Sequence, residues 1–431
     1  MILRNLVRKF DLVSKLGLRT SILIVTSLFN VLTLRYLLEI YSKESVGKYL
    51  VLVAVGQTIT MIDLGIGFST SYLIALENLS NLSRRFIFLG TRLLLVAGTV
   101  GLAAAILFGH FCIDLEFHKY SFTDYRNFLI VVSGALIANA LGPVFHSLVV
   151  FRKVNTYFLL DGLRPTLILF GVILAKYLGL PIITCFITWS IANIFPGVIA
   201  AIIEKLYLFK RHSNLKTARE DSAILLKFGL PYQLSTIGNL ANNSLPALLI
   251  SSILGPSTVV PFQLLMRGIT LFRAALGAIW LTIWPELVSD HGLAFQLRKI
   301  RILDKRIFQL STFFAILNYL FAPTLLRFLF GFHERLSTLT LIITSLMLIA
   351  YSVEIVPSAV ANTFADQKRK SILILFSGMC NVVLSLGLIP RLGYVGSLIA
   401  TLLTYCILYL FPLHRLYSNR IKYTRKLFWK S

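Results

Sequence analysis

Apolar residues in this sequence form a succession of runs that are each long enough to cross a lipid bilayer. The hydrocarbon core of a bilayer is about 30 Å thick, so about 20 helical residues span it. We therefore predict an all-α polytopic membrane protein with about twelve transmembrane helices. The predicted spans are Gly17–Leu38, Lys48–Leu76, Phe86–Cys112, Phe128–Phe151, Tyr157–Leu178, Pro181–Ile203, Gly229–Leu254, Val259–Pro285, Phe308–Phe330, Leu336–Phe364, Ser371–Ile389 and Tyr394–Leu413.

Lys and Arg are distributed unevenly among the loops between these spans. With the N-terminus in the cytoplasm, the cytoplasmic segments carry most of the 42 Lys and Arg residues. Because cytoplasmic loops hold the excess of positive charge in membrane proteins, we expect both termini to be cytoplasmic. The net charge of +24 then reflects topology and contact with anionic lipid headgroups, and it does not require a nucleic-acid partner.

The loops contain little that favours an enzyme. The longest outward loop runs only from about Ile113 to Tyr125, and no phosphate-binding Gly-Lys-Ser/Thr sequence occurs. The 4 cysteines lie within or at the ends of spans, without a Cys-x-x-Cys pair or a His at metal-ligand spacing. We therefore expect no catalytic residue, cofactor or metal site, and a function that takes place inside the membrane.

The basic segment from Glu204 to Lys227 lies near the midpoint of the chain and suggests an internal repeat. Lys15-Leu16-Gly17-Leu18 before the first span resembles Lys227-Phe228-Gly229-Leu230 before the seventh, and Phe195-Pro196 recurs as Phe411-Pro412 at a similar shift. Chance matches in apolar sequence are the alternative. A repeat predicts two six-helix bundles, residues 1–215 and 216–431. Six is an even number, so the bundles would be parallel and enclose a central cleft suited to alternating access.

Charged side chains inside the spans are costly in a bilayer and are candidates for a polar cavity. The set consists of Asp63, Asp161, Arg164, Arg267, Arg273 and Glu354. Asp63 and Arg273 lie deepest, which favours a functional cavity over a structural bridge. Asp161 and Arg164 are spaced i, i+3 and neutralise each other, either as a structural pair or as part of a cleft lining.

The seventh span also has an uncharged polar face. Its residues recur at helical spacing: Gln233, Ser235, Thr236, Asn239, Asn242 and Asn243. Asn30 in the first span is the counterpart of Asn242 in the repeat. Amides and hydroxyls hydrogen-bond to sugars, while arginines suit phosphate or uronate groups. We predict that these amides line a substrate cleft, and interhelical hydrogen bonding is the alternative.

Several short motifs resemble those of polysaccharide-transport proteins of the multidrug/oligosaccharidyl-lipid/polysaccharide (MOP) exporter superfamily. They are Ser45-Val46-Gly47-Lys48-Tyr49 with Asp63-Leu64-Gly65-Ile66-Gly67, Leu248–Gly255 with Phe262–Arg267, Ile283-Trp284-Pro285-Glu286-Leu287, and Gly396–Thr401. The resemblance covers almost the whole chain and implies a fold like that of MATE transporters. Val259-Val260-Pro261-Phe262 departs from the Gly and Tyr expected there, which leaves the subfamily open.

The resemblance implies a flippase of O-antigen or capsule repeats (Wzx type) in the bacterial inner membrane. Such a protein moves an undecaprenyl-pyrophosphate-linked oligosaccharide to the periplasmic leaflet and works with glycosyltransferases and a polymerase of the same pathway. Coupling to H⁺ or Na⁺ is also implied, with Asp63 or Glu354 as candidate proton carriers. Two alternatives remain. One is a membrane-embedded polysaccharide polymerase or glycosyltransferase, and the other is a multidrug cation exporter of the same superfamily.

Overall fold

All regular structure in the described part of the chain is helical. The computed structural model describes residues 21–22, 24–63, 65–67, 69–70, 80–114, 122–150, 154–203, 215–289, 293–330, 336–363 and 367–428. The helices are α1 (24–40), α2 (Lys43–Met61), α3 (Ser80–Asp114), α4 (Phe122–Ala140), α5 (Gly142–Val150), α6 (Val154–Leu178), α7 (Ile183–Ile203), α8 (Leu215–Asn243), α9 (Leu245–Leu254), α10 (Val259–Ser289), α11 (Leu293–Phe330), α12 (Thr338–Val353), α13 (Ile355–Thr363), α14 (Gln367–Leu392), α15 (Tyr394–Thr404) and α16 (Phe411–Phe428). A 3₁₀ turn, Pro256–Thr258, precedes α10, and a π-helical segment, Tyr405–Leu410, joins α15 to α16.

Many of these helices are long and apolar enough to cross a membrane. Within the described residues seven helices meet this requirement, and the number rises to eight when the bent pair α4 and α5 is taken as one span. The protein is therefore a multi-pass membrane protein. The prediction of about twelve spans refers to the whole chain, and part of it, such as residues 71–76 of the second span, lies outside the described residues.

The helices are arranged in two compact units. The N-unit is Tyr36–Ile237, and the C-unit combines the described part of Met1–Arg35 with Gly238–Ser431. The division at residues 215 and 216 that the repeat suggests stays a prediction, because a unit of packing need not end where a repeat ends. Most of α8 packs in the N-unit, whereas the described residues before Tyr36 pack in the C-unit.

Four of the predicted spans are not continuous helices, and this corrects the sequence analysis. The breaks lie at Ile62–Gly65, Leu141, Ser244 and Glu354. Proline explains three of them, because Pro143, Pro246 and Pro357 each lie in the first turn after a break. A proline ring clashes with the carbonyl four residues earlier and supplies no N–H, so it ends the preceding helix but is tolerated where a new helix starts. At Leu141 the helix axis bends by 49°.

Each unit has its own apolar core. In the N-unit, buried residues of α3, α5 and α6 form one cluster, which includes Ile87, Phe145 and Leu160. In the C-unit, α10, α11, α13 and α16 share a cluster that includes Ile307 and Val356. Large apolar side chains also cover the outer faces of the helices, as a lipid-facing surface requires.

Candidate functional site

The break after α2 is built around the carboxylate of Asp63. Asp63 Oδ1 accepts a hydrogen bond from the Gly65 N–H at 2.8 Å, and Oδ2 accepts one from the Gly67 N–H at 2.9 Å. Helical structure resumes at Ile66. A side-chain oxygen that accepts from the first free N–H groups of a helix is an N-cap. Asp63 therefore stabilises a helix start in the interior of a predicted span.

Two amides from other helices satisfy the rest of the broken backbone. Asn139 Nδ2 donates to the carbonyl oxygens of Ile59 and Ile62, each at 3.0 Å. Gln233 Oε1 accepts from the Gly65 N–H at 3.0 Å, and its Nε2 donates to the Met61 carbonyl at 3.5 Å. A free backbone group in hydrocarbon costs several kcal/mol, so non-helical backbone inside a membrane needs such partners. Asn139, Gln233 and Asp63 together make the break possible.

Gly65 itself is required by geometry at this break. Its φ angle is +69°, a value that side chains with a Cβ rarely adopt. A Cβ added there would overlap the backbone carbonyl of Gly229 in α8. The motif residue Gly65 thus permits both the turn and the close approach of two backbones.

A group of ionisable and aromatic side chains surrounds this break in the N-unit. We name Asp63, His146, Tyr157, Asp161 and Arg164 the N-cluster. His146 and Asp63 both contact the space beside Gly67, where an added Cβ would lie 3.1 Å from His146 Cδ2 and 2.8 Å from Asp63 Oδ2. The ring centroids of His146 and Tyr157 are 5.9 Å apart. His146 was not identified from the sequence, although it is the only ionisable residue within its predicted span.

The predicted pair Asp161 and Arg164 forms at one side of the N-cluster. Arg164 Nη1 lies 3.5 Å from Asp161 Oδ1, and both side chains are partly exposed. The guanidinium carbon of Arg164 lies 4.9 Å from the centre of the Phe145 ring. Arg164 Nε is buried and has no hydrogen-bond partner among the described residues. Arg164 is thus held by an aromatic face and one carboxylate, with donor capacity left over.

The C-unit contains a second group, which we name the C-cluster: Arg273, Tyr351, Glu354, Tyr405 and Tyr409. Arg273 Nη2 donates to Glu354 Oε2 at 2.6 Å, and the Tyr409 hydroxyl donates to Glu354 Oε1 at 2.7 Å. The side chain of Glu354 is only 5% exposed, whereas that of Arg273 is 33% exposed. Both carboxylate oxygens therefore have partners, while about a third of the Arg273 side chain stays exposed.

Helix irregularities place the groups of the C-cluster. Glu354 occupies the break between α12 and α13, and the π-helical segment brings Tyr405 and Tyr409 to the same side. The Tyr405 ring centre lies 4.5 Å from that of Tyr351 and 5.1 Å from that of Tyr409. The Arg273 guanidinium carbon lies 5.5 Å from the centre of the Tyr351 ring. π-Helical segments often occur at functional sites, since they displace side chains from the regular helical register.

A second cationic side chain, that of Lys370, lies near Glu354. Lys370 of α14 is 8% exposed and interacts electrostatically with this carboxylate. Two cations near one carboxylate leave an excess of positive charge in the C-unit. Burying such an excess is costly, so a ligand with negative charge would be favoured here.

The amides predicted to line a cleft have individual partners in the structure. The Tyr351 hydroxyl donates to Asn243 Oδ1 at 3.3 Å, and Asn243 Nδ2 donates to the Asn239 carbonyl at 2.8 Å. Asn242 is 1% exposed and donates to the Gly238 carbonyl at 3.1 Å. Only the Tyr351 bond joins two helices, as the alternative interpretation expected, whereas the other two bonds lie within α8. A role of these amides in substrate binding stays a prediction.

Arg267 and Asn30 are also brought together, both within the C-unit. Arg267 Nη1 donates to the backbone carbonyl of Asn30 at 2.8 Å. The contact uses the main chain of Asn30 and not its amide side chain. The described residues contain no group of three or more His, Cys, Asp or Glu side chains that could hold a metal ion. Coupling to H⁺ or Na⁺ stays a prediction.

Comparison with known proteins identifies the fold. No family model and no curated protein matches the sequence. Solved structures do match. One is a multidrug resistance MATE family transporter of the MOP superfamily in an inward-facing conformation. It is similar to this chain with a TM-score of 0.65 and 18% identity, over 95% of this chain and 99% of that chain. The chain has the MOP transporter fold.

Two further solved structures are similar to this chain over almost its whole length. The lipid II flippase MurJ, in an inward closed conformation, has a TM-score of 0.68 and 14% identity over 94% of this chain and 87% of that chain. The second is a MOP superfamily transporter from Pyrococcus furiosus Vc1 (DSM3638), which is described as having a binding pocket of reversed polarity. It has a TM-score of 0.62 and 15% identity, over 95% of this chain and 96% of that chain. The predicted fold class, an all-α membrane protein of two helical bundles, is confirmed.

Proposed function

We propose that this protein is a flippase that moves an undecaprenyl-pyrophosphate-linked oligosaccharide across the bacterial inner membrane by alternating access. The observation that supports this most is the Arg273 side chain, which is one-third exposed inside an apolar helical unit. Its carboxylate partner Glu354 is buried behind it. A pyrophosphate group cannot cross bare hydrocarbon, and a fixed guanidinium supplies the charge-assisted hydrogen bonds that such a group needs.

The N-cluster offers a similar arrangement in the other unit. Arg164 is positioned by Asp161 and the Phe145 ring and retains unused donors. Asp63 is occupied by backbone N–H groups, so its negative charge is already compensated within the break. Arginine in each unit suits a headgroup with several anionic oxygens. The isoprenoid tail would stay in the lipid throughout, because its transfer into a polar site is unfavourable.

The fold comparisons support a lipid-linked substrate and also a second candidate. MurJ is described as a lipid II flippase, which is a precedent for a flippase with this fold. The MATE proteins are described as multidrug resistance transporters, so export of cationic drugs is the alternative. Positive charge around Glu354 opposes a cationic substrate, because Arg273 and Lys370 would repel it.

The proposal includes the cellular setting that the sequence predicts. The protein would lie in the inner membrane with both termini in the cytoplasm. Its substrate would be supplied by glycosyltransferases and consumed by a polymerase in the periplasm. O-antigen and capsular repeats are both compatible with this setting.

The deciding experiment depletes the protein in its own bacterium and assigns the accumulated repeat units to a membrane leaflet. A membrane-impermeant glycan-modifying reagent, applied to right-side-out and inverted vesicles, makes this assignment. We expect repeat units facing the cytoplasm and loss of surface polymer. Re-expression of R273K should restore more transport than R273Q at equal protein level, because only the lysine keeps the charge.

Other outcomes would reject the proposal. Single repeat units that reach the outer leaflet but do not grow would indicate a polymerase. Normal surface polymer together with increased sensitivity to cationic drugs would indicate a multidrug exporter.

A further inference from the structure

A cavity of about 470 Å³ lies within the C-unit, between α11, α16 and the end of α12. On α11 the lining residues begin at Arg301, next to the first residue of the span Ile300–Phe328. On α16 they end at Ser418, next to the last residue of the span Tyr394–Asn419. The cavity is therefore located at one boundary of the membrane. The sequence predicts this boundary to be the cytoplasmic one.

The charges in this cavity favour an anion. Arg301 and Lys305 are spaced i, i+4 on α11, and both line the cavity together with Asp304. Two cations and one carboxylate leave a net positive charge. Guanidinium and ammonium groups form strong hydrogen bonds with phosphate oxygens. Basic pockets between transmembrane helices on the cytoplasmic side are typical sites for anionic lipid headgroups.

Two buried polar atoms of α16 also indicate that the cavity binds a ligand. Tyr417 is 8% exposed, and its ring packs in the apolar cluster of the C-unit, but its buried hydroxyl has no hydrogen-bond partner in the described part of the chain. His414 Nε2 is buried and likewise has no partner among those residues, while its other ring nitrogen bonds to the Val353 backbone. Buried polar groups are rarely left unpaired, so a ligand with hydroxyl groups would complete the site.

We propose that this cavity binds the headgroup of a phosphatidylglycerol-type lipid. The phosphodiester would contact Arg301 and Lys305. The glycerol hydroxyls would donate to Asp304 and His414 Nε2 and accept from the Tyr417 hydroxyl. Phe308 and Val353 supply an apolar wall towards the acyl chains. A zwitterionic ethanolamine headgroup fits less well, because it has no net charge to compensate the cavity. This site does not depend on the transported substrate, and it would stand if the proposed flippase function failed.

Native mass spectrometry of the purified full-length protein tests the proposal. The protein is titrated with phosphatidylglycerol, phosphatidylethanolamine or inorganic phosphate, and bound species are counted. We expect one phosphatidylglycerol molecule to bind preferentially. R301Q/K305Q should weaken this binding about tenfold, since each basic residue near a membrane surface adds to the attraction. The control R306Q removes an exposed arginine of the same helix that does not line the cavity.

A second variant separates the built site from general charge effects. Y417F keeps the ring in the core and removes only the hydroxyl, so it should fold and weaken phosphatidylglycerol binding about threefold. Equal losses in R306Q and R301Q/K305Q would overturn the proposal, because they would indicate unspecific attraction. Tighter binding of phosphatidylethanolamine, or displacement of the lipid by inorganic phosphate at equal concentration, would overturn it as well.

Discussion

At the scale of single residues, the structure gives Asp63 and Gly65 a shared task. The carboxylate of Asp63 accepts from two backbone N–H groups, and Gly65 supplies the positive φ that turns the chain between them. The sequence identified Asp63 because a charge in a span is conspicuous. Its contacts were not predictable, because they depend on where the helix breaks, and no proline marks that break.

Replacing Gly65 with Ala should destabilise the protein by about 2 kcal/mol or more. The left-handed conformation costs about 1–2 kcal/mol for a residue with a Cβ, and overlap with the Gly229 carbonyl adds to this. Thermal unfolding in detergent measures the effect. The control is G268A, because a Cβ at Gly268 in α10 meets no atom within 4 Å. Equal unfolding temperatures of the two variants would contradict the close contact.

The Arg273–Glu354 pair should be strongly coupled energetically. E354Q leaves the guanidinium without its carboxylate. In a fully buried pair, such a change lowers the free energy of unfolding by about 3–5 kcal/mol. We expect a loss of roughly 2–4 kcal/mol here, since the Arg273 side chain is one-third exposed. The double variant R273Q/E354Q should lose less than the sum of the single variants. The exposed pair Lys176–Glu39, with an N–O distance of 2.7 Å, is the control, and K176Q should cost less than about 1 kcal/mol. Additive effects at Arg273 and Glu354 would exclude the coupling.

At the scale of elements, apolar length predicted the helices well but did not predict their breaks. The predicted span Pro181–Ile203 agrees with α7, and Tyr157–Leu178 agrees with α6. Pro165 and Pro196 lie inside these two helices without ending them, whereas Pro143 starts a new helix. The sequence cannot distinguish these prolines, because the outcome depends on whether neighbouring helices satisfy the freed backbone groups.

Asn139 should therefore be essential for the break after α2. N139L has a similar size but cannot donate to the part-buried carbonyls of Ile59 and Ile62. The Ile59 carbonyl keeps the bond from the Ile62 N–H, whereas the Ile62 carbonyl loses the Asn139 amide. We expect a loss of about 1–3 kcal/mol in unfolding free energy, chiefly from the Ile62 carbonyl. Asn193 provides a control, because its amide donates to the Trp189 carbonyl of its own helix and to no other group in the described part of the chain. N193L should change stability by less than about 1 kcal/mol, and a similar loss in both variants would argue against a specific role of Asn139.

At the scale of the whole molecule, hydropathy and fold agree, while the polar clusters show what pattern alone misses. Arg273 and Glu354 are separated by 81 positions in the sequence and meet through a direct hydrogen bond. Tyr409 joins them only because a π-helical segment changes the helical register. Such contacts link distant elements, so no local spacing predicts them. The pair Asp161 and Arg164 was predictable, because its residues are three apart on one helix and local spacing brings them together.

The orientation of the molecule is predicted from its loop charges and can be tested directly. The basic segments predict that the loop at Gly179, between α6 and α7, lies on the periplasmic side and that Ser431 lies in the cytoplasm. Alkaline phosphatase is active only in the periplasm, so a fusion at Gly179 should be active and a fusion after Ser431 inactive. Green fluorescent protein exported through the general secretory pathway does not fold in the periplasm and should give the reverse result. Activity at both positions would refute the predicted topology. The reverse pattern would place the cavity beside Arg301 and Lys305 in the outer leaflet, where phosphatidylglycerol would have to reach it from the periplasmic side.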